Sequence, residues 1–147
     1  MNEVRGNVIV GQSGGPTAVI NSSLAGVYKT ARDRGAKKVY GMLHGIQGLL
    51  QERYVDLSEH IKNDLDIELL KAYAFRLFWA PAASSFRRFQ RTERFMTGIF
   101  EILDGLEVEY FFYIGGNDSM DTIKKLSDYA LLKWKQESGL WVFQKDH

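Results

Sequence analysis

The stretch YFFYIGGNDSMDTIKKLS, Tyr110–Ser127, contains the boundary that decides the fold. It opens with an apolar run, Tyr110–Ile114, whose aromatic and β-branched residues are typical of a buried strand. Two glycines and the polar residues NDS follow, and the pattern then predicts a helix over Asp118–Ala130. A strand followed by a glycine turn and then a helix is the repeating unit of α/β sheets.

A second unit of the same kind lies near the start of the chain. The apolar run Asn7–Gly11 predicts a buried strand, and the turn GQSGGP opens a helical pattern over Thr17–Arg34, which Gly35 stops. Lys37–Leu43 predicts the next strand. Because a strand–helix–strand unit favours parallel pairing with a right-handed crossover, the expected fold class is α/β with a doubly wound parallel sheet.

The remaining segments are less regular. HGIQGLL predicts a loop with a short helix, DLSEHIKNDLDIELLK a polar stretch with a helical end, and Ile99–Leu106 a helix. Two segments have no clear period, Tyr73–Gly98 and Leu131–His147, and the first carries all but one of its charges as arginine. These two segments do not fit an ordinary α/β pattern.

The composition is that of a globular protein. Of 147 residues, 45% are hydrophobic and 25% charged, and a net charge of +1 gives no electrostatic reason to expect nucleic acid or an anionic membrane as a partner. The absence of cysteine excludes disulfides, and the three histidines show no metal-ligand spacing. With no signal peptide and no apolar run of membrane length, the expected compartment is the cytoplasm.

Both glycine-rich turns are candidates for binding phosphate. A turn that opens a helix gathers free backbone N–H groups at the positive end of the helix dipole. The first turn offers Ser13, Gly14 and Gly15, and the second offers Gly116 and Ser119. The first turn alone is equally well read as a plain strand–helix connection, and the second alone is better read as an ordinary helix start capped by Asn117 or Asp118. Together they favour one phosphate site, because ligands of open parallel sheets bind at the carboxyl ends of the strands.

The second turn also carries candidate metal ligands. The carboxylate of Asp118, beside a phosphate cradle, would repel the anion unless a cation lay between them. Asn117 and Asp118 are therefore the candidate ligands. Mg²⁺ is the expected metal, since it binds phosphate and one or two protein oxygens and keeps several waters.

At these residues the chain resembles the phosphofructokinase family. GQSGGPTAVINSSLAGVY is similar to the family's first phosphate loop and helix, HGIQGLL to the segment that follows, and YFFYIGGNDSMDT to its GGDGS-type loop in the pyrophosphate-using branch. The resemblance covers Asn7–Leu70 and Ile99–Ala130. It implies an incomplete amino-terminal lobe of a Rossmann-like fold, within a homo-oligomeric glycolytic enzyme that phosphorylates the 1-hydroxyl of fructose 6-phosphate.

The resemblance also implies the phosphoryl donor. Asp118 stands where ATP-using members have a glycine that leaves room for the α-phosphate, so its carboxylate would select pyrophosphate. By the same resemblance Gly15 and Ser119 contact the donor. Asn117 stands where many members have the Mg²⁺-binding aspartate, which leaves the metal ligand open between Asn117 and Asp118. An ATP-dependent enzyme is the alternative, and Asp118 argues against it.

Two motifs of the family are missing. These are the arginine-bearing loop LGSCR before the helix at Ile99–Leu106, and PKTIDND, whose first aspartate is the catalytic base. A shifted reading frame of the first irregular segment recovers LGSCR, and one of the second segment gives residues that end at the proline of PKTIDND. Trp79–Arg87 can be encoded so that one added base gives LGSCRFKLP, and Lys133–Gln144 so that skipping two bases gives VEAGIRVMGVP.

Tryptophan has a single codon, TGG, so Trp79 and Trp141 each constrain these shifted readings.

The domain hypothesis is accordingly an amino-terminal phosphate-donor-binding lobe over residues 1–130, with residues 73–98 out of frame and an aberrant tail over residues 131–147. Without the base and the arginine loop, the chain alone is expected to be inactive. The alternatives are a diverged protein that shares the two turns, and a non-catalytic remnant that still binds phosphate.

Resequencing the encoding DNA from the codon of Leu70 to several hundred bases beyond that of His147 tests the frame hypothesis. We expect single-base changes that restore LGSCR and PKTIDND in one continuous frame. DNA that encodes the present chain as written would rule out a sequencing artefact and leave a broken gene or a remnant.

Overall fold

The structure is a computed structural model that describes residues 6–13, 17–70, 93–115, 124–129 and 141–144. The strands within these ranges are β1 (Asn7–Ser13), β2 (Val39–Met42), β3 (Tyr54–Asp56), β4 (Val108–Gly115) and β5 (Trp141–Gln144). The helices with defined bounds are α1 (Thr17–Asp33), α2 (Gly45–Leu50), α3 (Leu57–His60) and α4 (Glu93–Gly105). Residues 64–70 and 124–129 are also helical.

The five strands form one sheet in the order β3-β2-β1-β4-β5. β1 pairs in parallel with both β2 and β4, and β4 pairs in parallel with β5. Only β3, at one edge, runs antiparallel to its neighbour β2. This arrangement confirms the predicted class, an α/β fold with a doubly wound, mostly parallel sheet.

Helices cover both faces of the sheet, and alternate residues of β1 point to opposite faces. Val8 and Val10 pack with α1, in a cluster that includes Leu24, Ala25, Tyr28 and Ala31. Ile9 packs on the other face with α2, α4 and the helical residues 124–129, in a cluster that includes Ile46, Leu49, Ile99, Leu103 and Leu126. β1 is therefore buried on both faces, which explains why its sequence is a continuous apolar run rather than an alternating one.

Asn7 is the buried polar residue that aligns the amino ends of three strands. Its side-chain amide donates to the carbonyl of Leu106 at 2.8 Å, just before β4. Its Oδ1 accepts from the backbone N–H of Lys38 at 3.1 Å, just before β2. Its own N–H donates to the carbonyl of Glu107 at 3.0 Å. Since every polar group of the side chain has a partner, burial of this amide carries no unsatisfied donor or acceptor.

Most predicted elements are confirmed, with shifts at their ends. The predicted helix Thr17–Arg34 is α1, which gives way to a turn at Gly35 with a φ of 96°. The predicted strand Tyr110–Ile114 lies within β4. The predicted helix Ile99–Leu106 begins six residues earlier, at Glu93. The strands β3 and β5 were not predicted; β3 has only three residues, too few for a visible alternation.

The connection from β2 to β3 depends on a glycine without room for a side chain. A Cβ atom at Gly48 would lie 1.6 Å from the carbonyl oxygen of Leu43. Backbone hydrogen bonds close the same loop, from Arg53 N to Gly48 O at 2.8 Å and from Leu43 N to Arg53 O at 3.0 Å. The obstacle is backbone rather than a movable side chain, so the loop could accept a larger residue only by rearranging.

Replacing Gly48 with alanine is expected to lower the free energy of unfolding by about 3 kcal/mol, because the loop must open to admit the methyl group. Gly26 offers a matched control. It is exposed on α1 and a Cβ there meets nothing within 4 Å, so Gly26→Ala should raise stability by up to about 1 kcal/mol. Urea unfolding of the two variants checks this, and similar midpoints would contradict the packing argument.

Candidate functional site

The carboxyl ends of β1 and β4 lie side by side. The register of this parallel pair runs from Val8 opposite Tyr110 to Ser13 opposite Gly115, the last residue of each strand. The two strands therefore stop at the same level, about 4.8 Å apart. The segments that carry the two predicted glycine turns therefore leave the sheet side by side, after Ser13 and after Gly115.

This place is also where the connections of the sheet change direction. From β1 the chain crosses by α1 to β2 on one side, whereas β4 lies on the other side of β1. Helix α1 covers one face, and the helical residues 124–129 after β4 cover the opposite face. A crevice forms between the strand ends at such a switch point, and ligands of open α/β sheets bind there.

Of the predicted site residues, only Ser13 belongs to the described part of the chain, and it is the final residue of β1. The other predicted donor-binding residues, Gly14, Gly15, Gly116 and Ser119, lie outside the described residues, as do the predicted metal ligands Asn117 and Asp118. Their roles stay predictions. What the structure adds is that the described residues flanking both turns, Ser13 and Gly115, are paired neighbours.

One boundary at the site was predicted wrongly. The sequence predicts that β1 ends at Gly11 and that Gln12 and Ser13 belong to the turn. In the structure both residues continue the strand, and Gln12 is buried. The physical reason is the partner strand, because β4 extends to Gly115 and pairs with β1 along its whole length. Tertiary pairing here overrides the local signal of glycine.

Gly11 allows the three central strands to approach closely just before this edge. A Cβ atom at Gly11 would lie 2.6 Å from Sδ of Met42 on β2 and 3.1 Å from Cδ2 of Tyr113 on β4. The side chains of both neighbouring strands thus close over Gly11. This packing supports the strand ends on the face covered by α2 and α4.

The loop predicted for HGIQGLL follows the carboxyl end of β2, at the same end of the sheet as the two glycine turns. β2 ends at Met42, and His44 follows in the left-handed backbone region, with φ 60° and ψ 37°. Gly45 continues with a φ of 63°. The glycines of HGIQGLL indicated a turn, but a left-handed histidine has no sequence signal of its own, since this conformation is uncommon for any residue except glycine.

The helical residues after the second turn are anchored to α4. The hydroxyl of Tyr129 and Oγ1 of Thr97 are hydrogen-bonded at 3.0 Å. The Tyr129 ring also stacks on Phe100, with centroids 5.3 Å apart and planes at 26°. Leu126 is buried in the same cluster. These contacts fix where the helical residues 124–129 lie relative to α4.

The electrostatics of the described residues add no second site. Among them, no group of three or more His, Asp or Glu side chains is placed to hold a metal ion. Burial raises the pKa of the Tyr28 phenol, partly offset by Arg32, and burial likewise raises the pKa of Tyr40, partly offset by Lys38. Both phenols therefore stay neutral at neutral pH. No described helix is long and apolar enough to cross a membrane.

Comparison with known proteins assigns the chain to a family. Residues 7–134 match the profile described as Phosphofructokinase. The chain belongs to the phosphofructokinase family. The match includes both glycine turns and the strands that lead into them, which confirms the family resemblance seen in the motifs.

The curated relatives are pyrophosphate-dependent members of this family. The chain is 35% identical over 128 residues to the pyrophosphate–fructose 6-phosphate 1-phosphotransferase of Rhodospirillum rubrum, covering 86% of this chain and 30% of that one. It is 35% identical over 125 residues to the protein of the same name from Xanthomonas campestris, covering 85% and 29%. This phosphofructokinase chain thus spans about a third of the length of these relatives.

Solved structures of pyrophosphate-dependent phosphofructokinases are also similar to this chain. The pyrophosphate-dependent phosphofructokinase of Nitrosospira multiformis matches 87% of this chain with a TM-score of 0.70 and 31% identity, over 30% of its own length. That of Marinobacter aquaeolei matches 96% with a TM-score of 0.67 and 32% identity, over 32% of its length. Pichia pastoris phosphofructokinase, at 15% identity and a TM-score of 0.61, supports the fold alone.

The Tyr129–Thr97 hydrogen bond should contribute measurably to stability. Tyr129→Phe keeps the ring stack and removes the hydroxyl, so we expect a loss of about 1 kcal/mol in the free energy of unfolding. In a Thr97→Val background the same change should cost close to nothing, because the partner is already absent. Urea unfolding of the four proteins measures this coupling, and an equal cost in both backgrounds would count against the contact.

Proposed function

We propose that the chain is the amino-terminal, phosphate-donor-binding lobe of a pyrophosphate-dependent phosphofructokinase. The reaction of the whole enzyme transfers a phosphoryl group from pyrophosphate to the 1-hydroxyl of fructose 6-phosphate and yields fructose 1,6-bisphosphate. The names of the relatives support this activity, although the chain corresponds to about a third of their length.

The observation that carries the proposal is the pairing of Ser13 with Gly115 at the switch point of the sheet. It brings the starts of two glycine turns to the crevice where open α/β sheets bind ligands. Gly14, Gly15, Gly116 and Ser119 then supply backbone and hydroxyl donors to the two phosphates. Two separate turns suit pyrophosphate, because each of its two phosphate groups needs its own set of donors.

The choice of donor rests on Asp118. Its carboxylate excludes the α-phosphate of ATP by charge and by size. Mg²⁺ is the proposed metal, held by Asn117 or Asp118, and it would neutralise charge on the transferring phosphate. Phosphoryl transfer depends mainly on such positioning and electrostatic stabilisation.

The proposed lobe comprises residues 1–130, with residues 73–98 out of frame and the tail 131–147 aberrant, although residues 93–98 lie in α4 and Trp141–Gln144 forms β5. The motifs LGSCR and PKTIDND are absent from the written sequence, so the lobe has neither the arginine loop nor the base that accepts the sugar proton. We therefore propose that this polypeptide binds pyrophosphate without turning it over. The complete enzyme is proposed to be a cytoplasmic homo-oligomer.

Isothermal titration of the purified chain with pyrophosphate and with ATP, each in excess Mg²⁺, tests both the site and the donor. We expect binding of pyrophosphate, no detectable binding of ATP, and no fructose 1,6-bisphosphate on adding fructose 6-phosphate. Asp118→Gly should admit ATP. Absence of pyrophosphate binding by the folded chain would overturn the proposed site, and failure of Asp118→Gly to gain ATP binding would overturn only the donor assignment.

A further inference from the structure

Gly11 is a glycine whose backbone conformation does not explain why a glycine is there. It lies within β1, where a glycine weakens the strand because it has no side chain to pack. The described glycines with a positive φ are Gly35 and Gly45, so Gly11 has a strand conformation that other residues also adopt. What requires a glycine at this position is therefore space.

Side chains of both neighbouring strands occupy the space beside Gly11. A Cβ atom there would lie 2.6 Å from Sδ and 3.2 Å from Cε of Met42 on β2. It would also lie 3.1 Å from Cδ2 of Tyr113 on β4. Cβ contacts shorter than 3.0 Å essentially never occur in proteins, so a methyl group at Gly11 would have to displace the thioether of Met42.

Both obstructing side chains are enclosed. Met42 is fully buried, and Tyr113 is 6% exposed. Both belong to the cluster under α2 and α4, where the Tyr113 ring lies beside that of Phe111 with centroids 6.3 Å apart. A thioether is flexible, but in a close-packed interior its displacement is transmitted to its neighbours. A methyl group at Gly11 is therefore expected to shift β1 relative to β2 and β4.

Gly11 lies close to the carboxyl end of β1, so such a shift reaches the candidate site. Gly11 pairs with Tyr113, and two residues further along Ser13 pairs with Gly115, where both strands end. Met42 is itself the last residue of β2. The contact between Gly11 and Met42 thus lies directly before the place where the segments with the two glycine turns leave the sheet.

We propose that Gly11 and Met42 are positioning residues for the binding of pyrophosphate. Met42 fills the space that Gly11 leaves, and this contact sets the carboxyl end of β1 against β2 and β4. The proposal rests on the proposed function, because it concerns the same donor site. Neither residue touches the donor in this proposal; both act through the segments after Ser13 and Gly115. A binding site keeps its affinity only while its donors stay within about 0.5 Å of their productive positions.

A double-mutant cycle tests the proposal. Gly11→Ala should weaken the binding of pyrophosphate about tenfold in calorimetry with excess Mg²⁺, because it displaces the end of β1. In a Met42→Ala background the same substitution should change the affinity by no more than about twofold, since the nearest obstruction is gone.

Gly6→Ala is the matched control for the obstructed glycine. A Cβ atom at Gly6 would lie 2.9 Å from the carbonyl oxygen of Glu107, so alanine lacks room there as well. Gly6 precedes β1, at the opposite end of the sheet from the glycine turns. We expect Gly6→Ala to lower the urea midpoint and to leave the pyrophosphate affinity of the folded chain unchanged. A merely structural role of Gly11 predicts that same result for Gly11→Ala.

Met42→Ala alone is a second route that needs no alanine at position 11. Removing the side chain that sets β1 should itself weaken pyrophosphate binding several-fold. Leu103→Ala is its control, because Leu103 is buried in the same cluster but lies near the end of α4, next to the amino end of β4. It should lower stability and leave the affinity unchanged.

Each outcome decides between the proposals, with circular dichroism showing that every variant compared is folded. A loss of affinity in Gly11→Ala that disappears in the Met42→Ala background, with Gly6→Ala unaffected, supports the positioning role. If Gly11→Ala and Met42→Ala bind pyrophosphate as the original chain does, or if both controls lose affinity equally, the positioning role is overturned and the donor site remains. If the original folded chain binds no pyrophosphate, the proposed function fails and the positioning role fails with it.

Discussion

The parallel pairing of β1 with two neighbours is the constraint on which the rest of the structure depends. At the amino ends, one buried amide, that of Asn7, bonds to backbone groups just before β2 and just before β4. At the carboxyl ends, the same register brings Ser13 level with Gly115. A slip of one residue in either ladder would turn buried side chains to the other face, and a slip in the β1–β4 ladder would also shift the two turns relative to each other.

Strong local patterns made much of the fold predictable. The apolar runs of β1 and β4 and the helical period of α1 are signals that single segments carry. The missed elements depend on neighbours instead. Strand β3 is three residues long and is defined by its pairing with β2, while β5 gains its place from β4. The extension of β1 through Gln12 likewise requires the whole length of its partner strand.

The candidate site, like the fold, was predictable only where a local sequence pattern indicates it. Glycines, a serine and acidic or amide side chains after a strand are typical of phosphate and metal sites, so Ser13 and the second turn could be named from the sequence. How close the two turns lie could not be predicted from the sequence, because strand order is a tertiary property. The left-handed backbone of His44 was not predicted, because the sequence shows only a histidine beside a glycine.

The division of the core between two faces has a consequence for how the chain folds. The cluster under α1 consists largely of residues before position 71, whereas the opposite cluster needs α4 and the helical residues 124–129. A contact such as that of Gly6 N–H with Glu109 closes a separation of 103 residues. During synthesis the face that carries Ile9 and Met42 is therefore covered only by α2 until α4 has emerged. High contact order of this kind slows folding and prolongs exposure of apolar surface, so the strand made first is fully enclosed only after elements far along the chain have been made.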